Sequence, residues 1–149
     1  MLSIIIPALN AETGLATSLN ALIAGVVSGL VKEVIVVDGG STDATTAIAG
    51  DAGCTLISCP AGRGGQLQRG AAAARGEWLL FLHADTLLSP GWEIEAAHFM
   101  QQEHSQDYAA VFRFALDDFR PQARRLEFLV RLRCKLLALP YGDQGLLIH

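Results

Sequence analysis

The sequence is poor in the features that mark several large protein classes. Its three cysteines, Cys54, Cys59 and Cys134, form neither an even disulfide framework nor a Cys-x-x-Cys metal pair. They read as small buried thiols in a reducing compartment. Charged residues make up only 17% of the chain against 51% apolar ones, which excludes a disordered segment and leaves ample material for a packed core. The uninterrupted apolar stretches, such as residues 78–82, are far shorter than the roughly 20 residues a membrane span needs. Met1 runs directly into a strand-like segment without a basic region or a small-residue cleavage site. No secretory signal is read there, and a cytoplasmic location is expected. Bases are also in deficit, 11 against 15 acids for a net charge of -4; generic nucleic-acid binding, which needs a basic surface, is disfavoured. Glycine is missing where a dinucleotide-binding protein or a sugar-phosphate nucleotidyltransferase would want it. The first strand leads into Pro7, Ala8, Leu9 and Asn10, with no glycine before Gly14, so no G-x-G-x-x-G loop opens there.

What is present alternates between two periods. A chain of 149 residues is one domain at roughly 100–200 residues per domain. Residues 2–6, 33–37, 55–58 and 77–83 are short and strand-like, and residues 109–115 read as a fifth strand. Between them, residues 12–27 repeat apolar side chains at helical spacing (Leu15, Leu19, Leu22, Ile23, Val26), and residues 44–51 follow Ser41, Thr42 and Asp43 as an N-cap. Residues 64–75, a segment opened by Pro90 and running to about 102, and residues 121–139 are further helices. This order, with continuously apolar strands, predicts an α/β fold whose mostly parallel sheet is covered by helices on both faces. No repeat and no low-complexity linker interrupts it.

Open sheets of this kind bind ligands beyond the carboxyl ends of their strands. Three segments place Asn10, Glu12, Asp38, Asp43, His83 and Asp85 there. The same segments carry a resemblance. SIIIPALNAE (residues 3–12), VVDGGSTDAT (36–45) and RGEWLLFLHAD (75–85) resemble, in order and spacing, the successive signatures of family 2 nucleotide-sugar glycosyltransferases of the Rossmann-like GT-A fold. YGDQG (141–145) is similar to a segment in a bacterial subgroup that carries the same His-Ala-Asp form.

The resemblance implies roles for particular residues. The loop after the first strand (Pro7, Ala8, Asn10, Glu12) and the one after the second (Asp38, Gly39, Ser41) would hold the nucleotide, a carboxylate there accepting from base or ribose donors. Asp85 matches the last Asp of the family's D-x-D and would bind Mg or Mn on the sugar diphosphate, where the metal neutralises charge developing on the leaving group. His83 replaces the first Asp of that motif, and its imidazole could bond a hydroxyl in place of the usual ribose contact. Other readings stand beside these. Asp43 also suits a helix amino end, Asp85 a turn, Gly39 and Gly40 a turn with positive φ, and Arg63 either a solvated charge or a phosphate contact. Arg69, His98 and His104 read as surface residues.

Inverting transfer further needs a base for the acceptor hydroxyl. In the resembling family it lies in a Glu-Asp-like motif farther downstream, and within this chain Asp143 is the only acid after Glu127 and hence the candidate. Residues 1–115 are therefore expected to form the nucleotide-sugar-binding half and residues 116–149 the start of an acceptor-side region, truncated or completed by a partner or a second copy. The alternative is a non-catalytic nucleotide-binding fragment. Arg124, Arg131 and Lys135 align on the last helix, opposite Leu126, Val130 and Leu137. That pattern fits an ordinary surface helix with snorkelling arginines, or peripheral contact with an anionic membrane.

Overall fold

The computed structural model describes residues 1–116, 118, 120–137 and 144–149. Within them the strands β1 (Leu2–Ala8), β2 (Val31–Asp38), β3 (Thr55–Ser58), β4 (Trp78–Phe81) and β5 (Leu146–Ile148) form one sheet in the order β3-β2-β1-β4-β5. β1 to β4 are mutually parallel, and β5 closes one edge antiparallel to β4. The helices are α1 (Glu12–Val27), α2 (Thr45–Asp51), α3 (Arg63–Ala73), α4 (Trp92–Met100) and α5 (Pro121–Leu137).

The central strands β1 and β2 are apolar on both sides because both sides are covered, whereas β3 at the edge is largely exposed. Leu2, Ile4, Ile6 and Ala8 pack with Leu15, Leu19 and Leu22 of α1 and Trp92 of α4, while Ile5, Ile35 and Val37 face the other way, toward Leu67 of α3. Two glycines permit the closest approaches. A Cβ on Gly25 would lie 2.6 Å from the Trp92 ring, whose indole N–H donates to the Ala21 carbonyl at 2.9 Å. On α3, a Cβ at Gly70 would run into Ile5.

The amino end of the sheet is tied by one carboxylate. Glu33 on β2 accepts from Ser3 Oγ at 2.8 Å, from the Arg75 backbone N–H at 2.7 Å and from Arg75 Nε at 2.9 Å, and Ser3 Oγ accepts from Gly76 N–H at 2.8 Å. Burial alone would push the Glu33 carboxyl up, but these hydrogen bonds and the Arg75 charge outweigh it and hold it below the ordinary 4.5.

The expected fifth strand is a correction. Residues 109–115 make only an isolated antiparallel bridge, Ala110 with Leu147, and the place beside β4 belongs to β5. The segment runs outside β5, Ala110 bridged to Leu147 and Phe112 N–H donating to Gln144 O at 3.0 Å, while the Phe112 ring meets Trp92 edge to face with centroids 6.5 Å apart. Pro90 likewise precedes the helix instead of opening it. Gly91 adopts a left-handed φ of 89° and α4 starts at Trp92.

Candidate functional site

Register brings Ala8 beside Asp38 and Asp38 beside Ser58, so the carboxyl ends of three strands finish level. What happens to Asp38 there follows from its neighbours. It is 4% exposed, and its carboxylate folds back on its own loop, accepting from Gly40 N–H at 3.0 Å and from Ser41 N–H at 3.1 and 3.2 Å. Gly40 turns at φ 96°, a conformation that favours glycine. Gly39 serves close approach, since a Cβ there would stand 3.2 Å from the Gln66 amide and 3.3 Å from Ala61 Cα.

The loops after β1 and β2 are laced together. Asn10 N–H donates to Ser41 Oγ at 2.9 Å, Thr42 N–H to Asn10 Oδ1 at 2.9 Å, and Ala11 N–H to Thr45 Oγ1 at 2.7 Å. Two carboxylates exchange caps. Asp43 accepts from Glu12 N–H, the first residue of α1, at 3.1 Å, while Glu12 accepts from Ala44 N–H, ahead of α2, at 3.0 Å. Each helix end is thus satisfied by the other's loop. Asp43 also accepts from Thr45 Oγ1 and N–H, and these bonds, the hydroxyl's foremost, hold its carboxyl below the usual range. The expected N-cap on α2 therefore shifts. Ala44 holds the cap position without a side-chain bond, and Asp43 supplies the acceptor one residue earlier.

A cleft of about 270 Å³ opens beside this lacing, lined among others by Pro7, Asn10, Gly14, Arg63, His83 and Asp85. Of the expected site residues, Pro7, Asn10, Arg63, His83 and Asp85 line it, while Ala8, Glu12, Asp38, Gly39 and Ser41 do not; Asp143 lies outside the described residues. The lining divides by what its polar atoms already do. Asn10 is engaged in the lacing, whereas the side chains of Arg63, His83 and Asp85 take part in no hydrogen bond or ion pair with the described residues. Arg63 is the first residue of α3, a helix that follows Gly62 without a side-chain cap bond. His83 and Asp85 follow β4, on a turn closed by Thr86 N–H to His83 O at 3.1 Å and held by Ser18 Oγ, which donates to Ala84 O at 2.9 Å.

Among the described residues no cluster of three or more His, Cys, Asp or Glu could hold an ion unaided. One exposed, unengaged carboxylate is nevertheless what Mg or Mn uses when phosphate oxygens and water complete the shell. The donor set fits such an ion bound together with a diphosphate, and does not fit a closed structural metal site.

Sequence reasoning missed Gln66 and Thr45. Gln66, 4% exposed on α3, donates from its amide nitrogen to Ala8 O at 2.8 Å and Val37 O at 2.7 Å, joining the ends of β1 and β2. The fully buried Thr45 caps α1. The place of Gln66 four residues before the buried Gly70, on the side of α3 that faces the sheet, is the signal that marks it. Arg69, His98 and His104 are exposed, as expected.

Comparison with known proteins agrees with this architecture. A glucosyl-3-phosphoglycerate synthase of Mycolicibacterium paratuberculosis is 36% identical over 98 residues, covering 60% of this chain and 29% of that protein. The crystal structure of glucosyl-3-phosphoglycerate synthase from Mycobacterium tuberculosis in complex with Mn2+ and uridine-diphosphate-glucose superposes with a TM-score of 0.71 at 25% identity, over 99% of this chain and 55% of that one. S. aureus TarS 1-349 gives a TM-score of 0.66 at 25% identity, over 80% of this chain and 37% of that one. The chain thus spans little more than half of the mycobacterial synthase structure. No described helix is long and apolar enough to cross a membrane. Residues 3–145 match the Glycosyl transferase family 2 pattern along nearly the whole sequence, and with the sheet order and strand-end loops described above the chain belongs to glycosyl transferase family 2.

Proposed function

We propose that the chain is the donor-binding part of a glycosyltransferase that moves a sugar, with inversion, from a nucleotide diphosphate sugar to an acceptor hydroxyl. One observation carries this: Arg63, His83 and Asp85, all unengaged, converge on one cleft at the carboxyl end of a parallel sheet. Asp85 is the ligand for Mg or Mn, an ion that would neutralise the charge developing on the departing diphosphate. Arg63 and the first turn of α3 meet the phosphates, where a guanidinium and backbone N–H groups suit an anion. His83 hydrogen-bonds a hydroxyl of the donor. The nucleoside lies along Pro7 and Asn10, and Asp38, Gly39, Ser41, Ala8 and Glu12 act behind it by fixing the loops.

Residues 1–115 hold the donor, residues 116–149 begin the acceptor side, and Asp143 is the candidate base. The related synthase bound to Mn2+ and uridine-diphosphate-glucose supports a uridine nucleotide as the first donor to try. A cytoplasmic location, self-association and contact with an anionic membrane through α5 belong to the same proposal.

Calorimetric titration with UDP and GDP, with Mn2+ and with chelator, tests it. Binding is expected to depend on the metal, and Asp85→Asn to abolish that dependence; equal affinity in chelator overturns the reading. A binding module completed by another chain would bind identically but hydrolyse or transfer nothing from the sugar nucleotide.

A further inference from the structure

Two residues of α1 touch the turn that carries Asp85: Gly14, which lines the cleft with backbone alone, and Ser18, which does not line it. A Cβ placed on Gly14 would lie 3.1 Å from Asp85 Cβ, 3.2 Å from Asp85 Cα and 3.4 Å from the Ala84 carbonyl oxygen. One turn along the same helix face, Ser18, 4% exposed, donates its hydroxyl to that carbonyl at 2.9 Å. The backbone of the turn is therefore stopped by α1 on one side and drawn to it by one bond. Asp85 itself has no side-chain hydrogen-bonding partner among the described residues, so the reach of its carboxylate is set by the backbone of this turn and by its own rotamers.

We infer that Gly14 and Ser18 are positioning residues for Asp85, the bare glycine setting how close the turn sits to α1 and the serine holding it there. This rests on the reading of Asp85 as the metal ligand. Gly14 does not adopt a positive φ, so alanine at this position suits the helix and favours its folding. The only cost falls on the turn. Asp85 Cα and Cβ must retreat by a few tenths of an ångström, because a Cβ contact near 3.1 Å is tighter than packed interiors accept. A carboxylate shifted against the diphosphate oxygens loses part of a geometry on which affinity and rate both depend steeply.

The test measures Mn2+ affinity in the presence of saturating UDP, UDP affinity in chelator, and the thermal midpoint, for the full chain and for Gly14→Ala, Ser18→Ala, Asp85→Asn and Gly14→Ala/Asp85→Asn. Gly14→Ala is expected to weaken Mn2+ binding by about threefold or more with an unchanged or raised midpoint and a smaller change, if any, in UDP affinity in chelator. Ser18→Ala is expected to act in the same direction. In the Asp85→Asn background, Gly14→Ala should have no further effect on Mn2+. Mn2+ affinity undisturbed by Gly14→Ala and Ser18→Ala, while Asp85→Asn abolishes it, overturns the positioning role alone. Mn2+ affinity undisturbed by Asp85→Asn overturns the metal reading beneath it.

Discussion

Asp38 shows what a single residue's surroundings decide. The resemblance implies a nucleotide-reading carboxylate, and the structure finds both of its oxygens turned to Gly40 and Ser41 N–H groups in a nearly closed environment. Asp38→Ala would leave these amides without their acceptor, so we expect a stability loss of about 1–3 kcal/mol, measured by urea unfolding. Nucleoside affinity should fall with it through the loosened loop. A weakened nucleoside affinity at unchanged stability would make Asp38 a direct ligand instead. The sequence shows that polar residues gather after β1, β2 and β4, because strand ends and loops have recognisable composition. It does not show which are engaged by each other. Glu12 and Asp43 are 31 positions apart and exchange helix caps only because β1 and β2 pair in register, a relation with no local trace. Asp85 and Arg63 stay unengaged for the complementary reason, that none of the described residues brings a partner to them.

At the scale of elements, legibility followed length and period. α1 carries its apolar stripe for 16 residues and was readable to its ends, and β3 was too, bounded by turn residues on both sides. β5 has three residues, too few for any periodicity, and it separates the apolar segment 109–115, which reads as the fifth strand, from β4, leaving that segment a single bridge at Leu147. α5 raises a different question, since its stripe is plain and its setting is not. Ala123 is buried, whereas Leu129 and Leu136 are 59% and 69% exposed and Phe128 is 55% exposed. The basic side chains are not simply spread to solvent, for Arg124 pairs with Glu127 at 2.7 Å and Arg131 lies over the Phe128 ring at 6.0 Å. Charge left for an anionic surface is therefore smaller than the sequence suggests. Co-sedimentation with anionic vesicles should show weak pelleting at low salt that disappears at high salt. Negligible pelleting at both would leave α5 an ordinary surface helix, and pelleting indifferent to salt would assign the contact to its leucines.

For the molecule as a whole, the Glu33 tie and the candidate cleft sit at opposite ends of the sheet. Glu33 joins β2 to β1 and to the segment leading into β4, and its folded carboxyl titrates below the ordinary 4.5. Its contribution is therefore complete above that value and is lost as pH falls through the lower, folded one. Urea unfolding between about pH 3 and pH 6 should show stability dropping toward acid, with Glu33→Gln less stable at the upper end and less sensitive to pH; an equal slope in the variant would remove Glu33 as the cause. The same separation bears on how ligand binding would be seen. Both tryptophans, Trp78 and Trp92, are buried on the face of the sheet that α1 and α4 cover, and neither lines the cleft. A nucleotide in the cleft is consequently out of contact with either indole and has no direct means of quenching it. Trp92, however, bonds to Ala21 and rests on Gly25 of the helix whose first turn abuts Asp85. With Mg in place of Mn and correction for nucleotide absorbance, a change in Trp92 emission that survives Trp78→Phe would thus report a shift of α1 against α4, which makes that indole a gauge of whether the site closes as a rigid cup or by moving its wall.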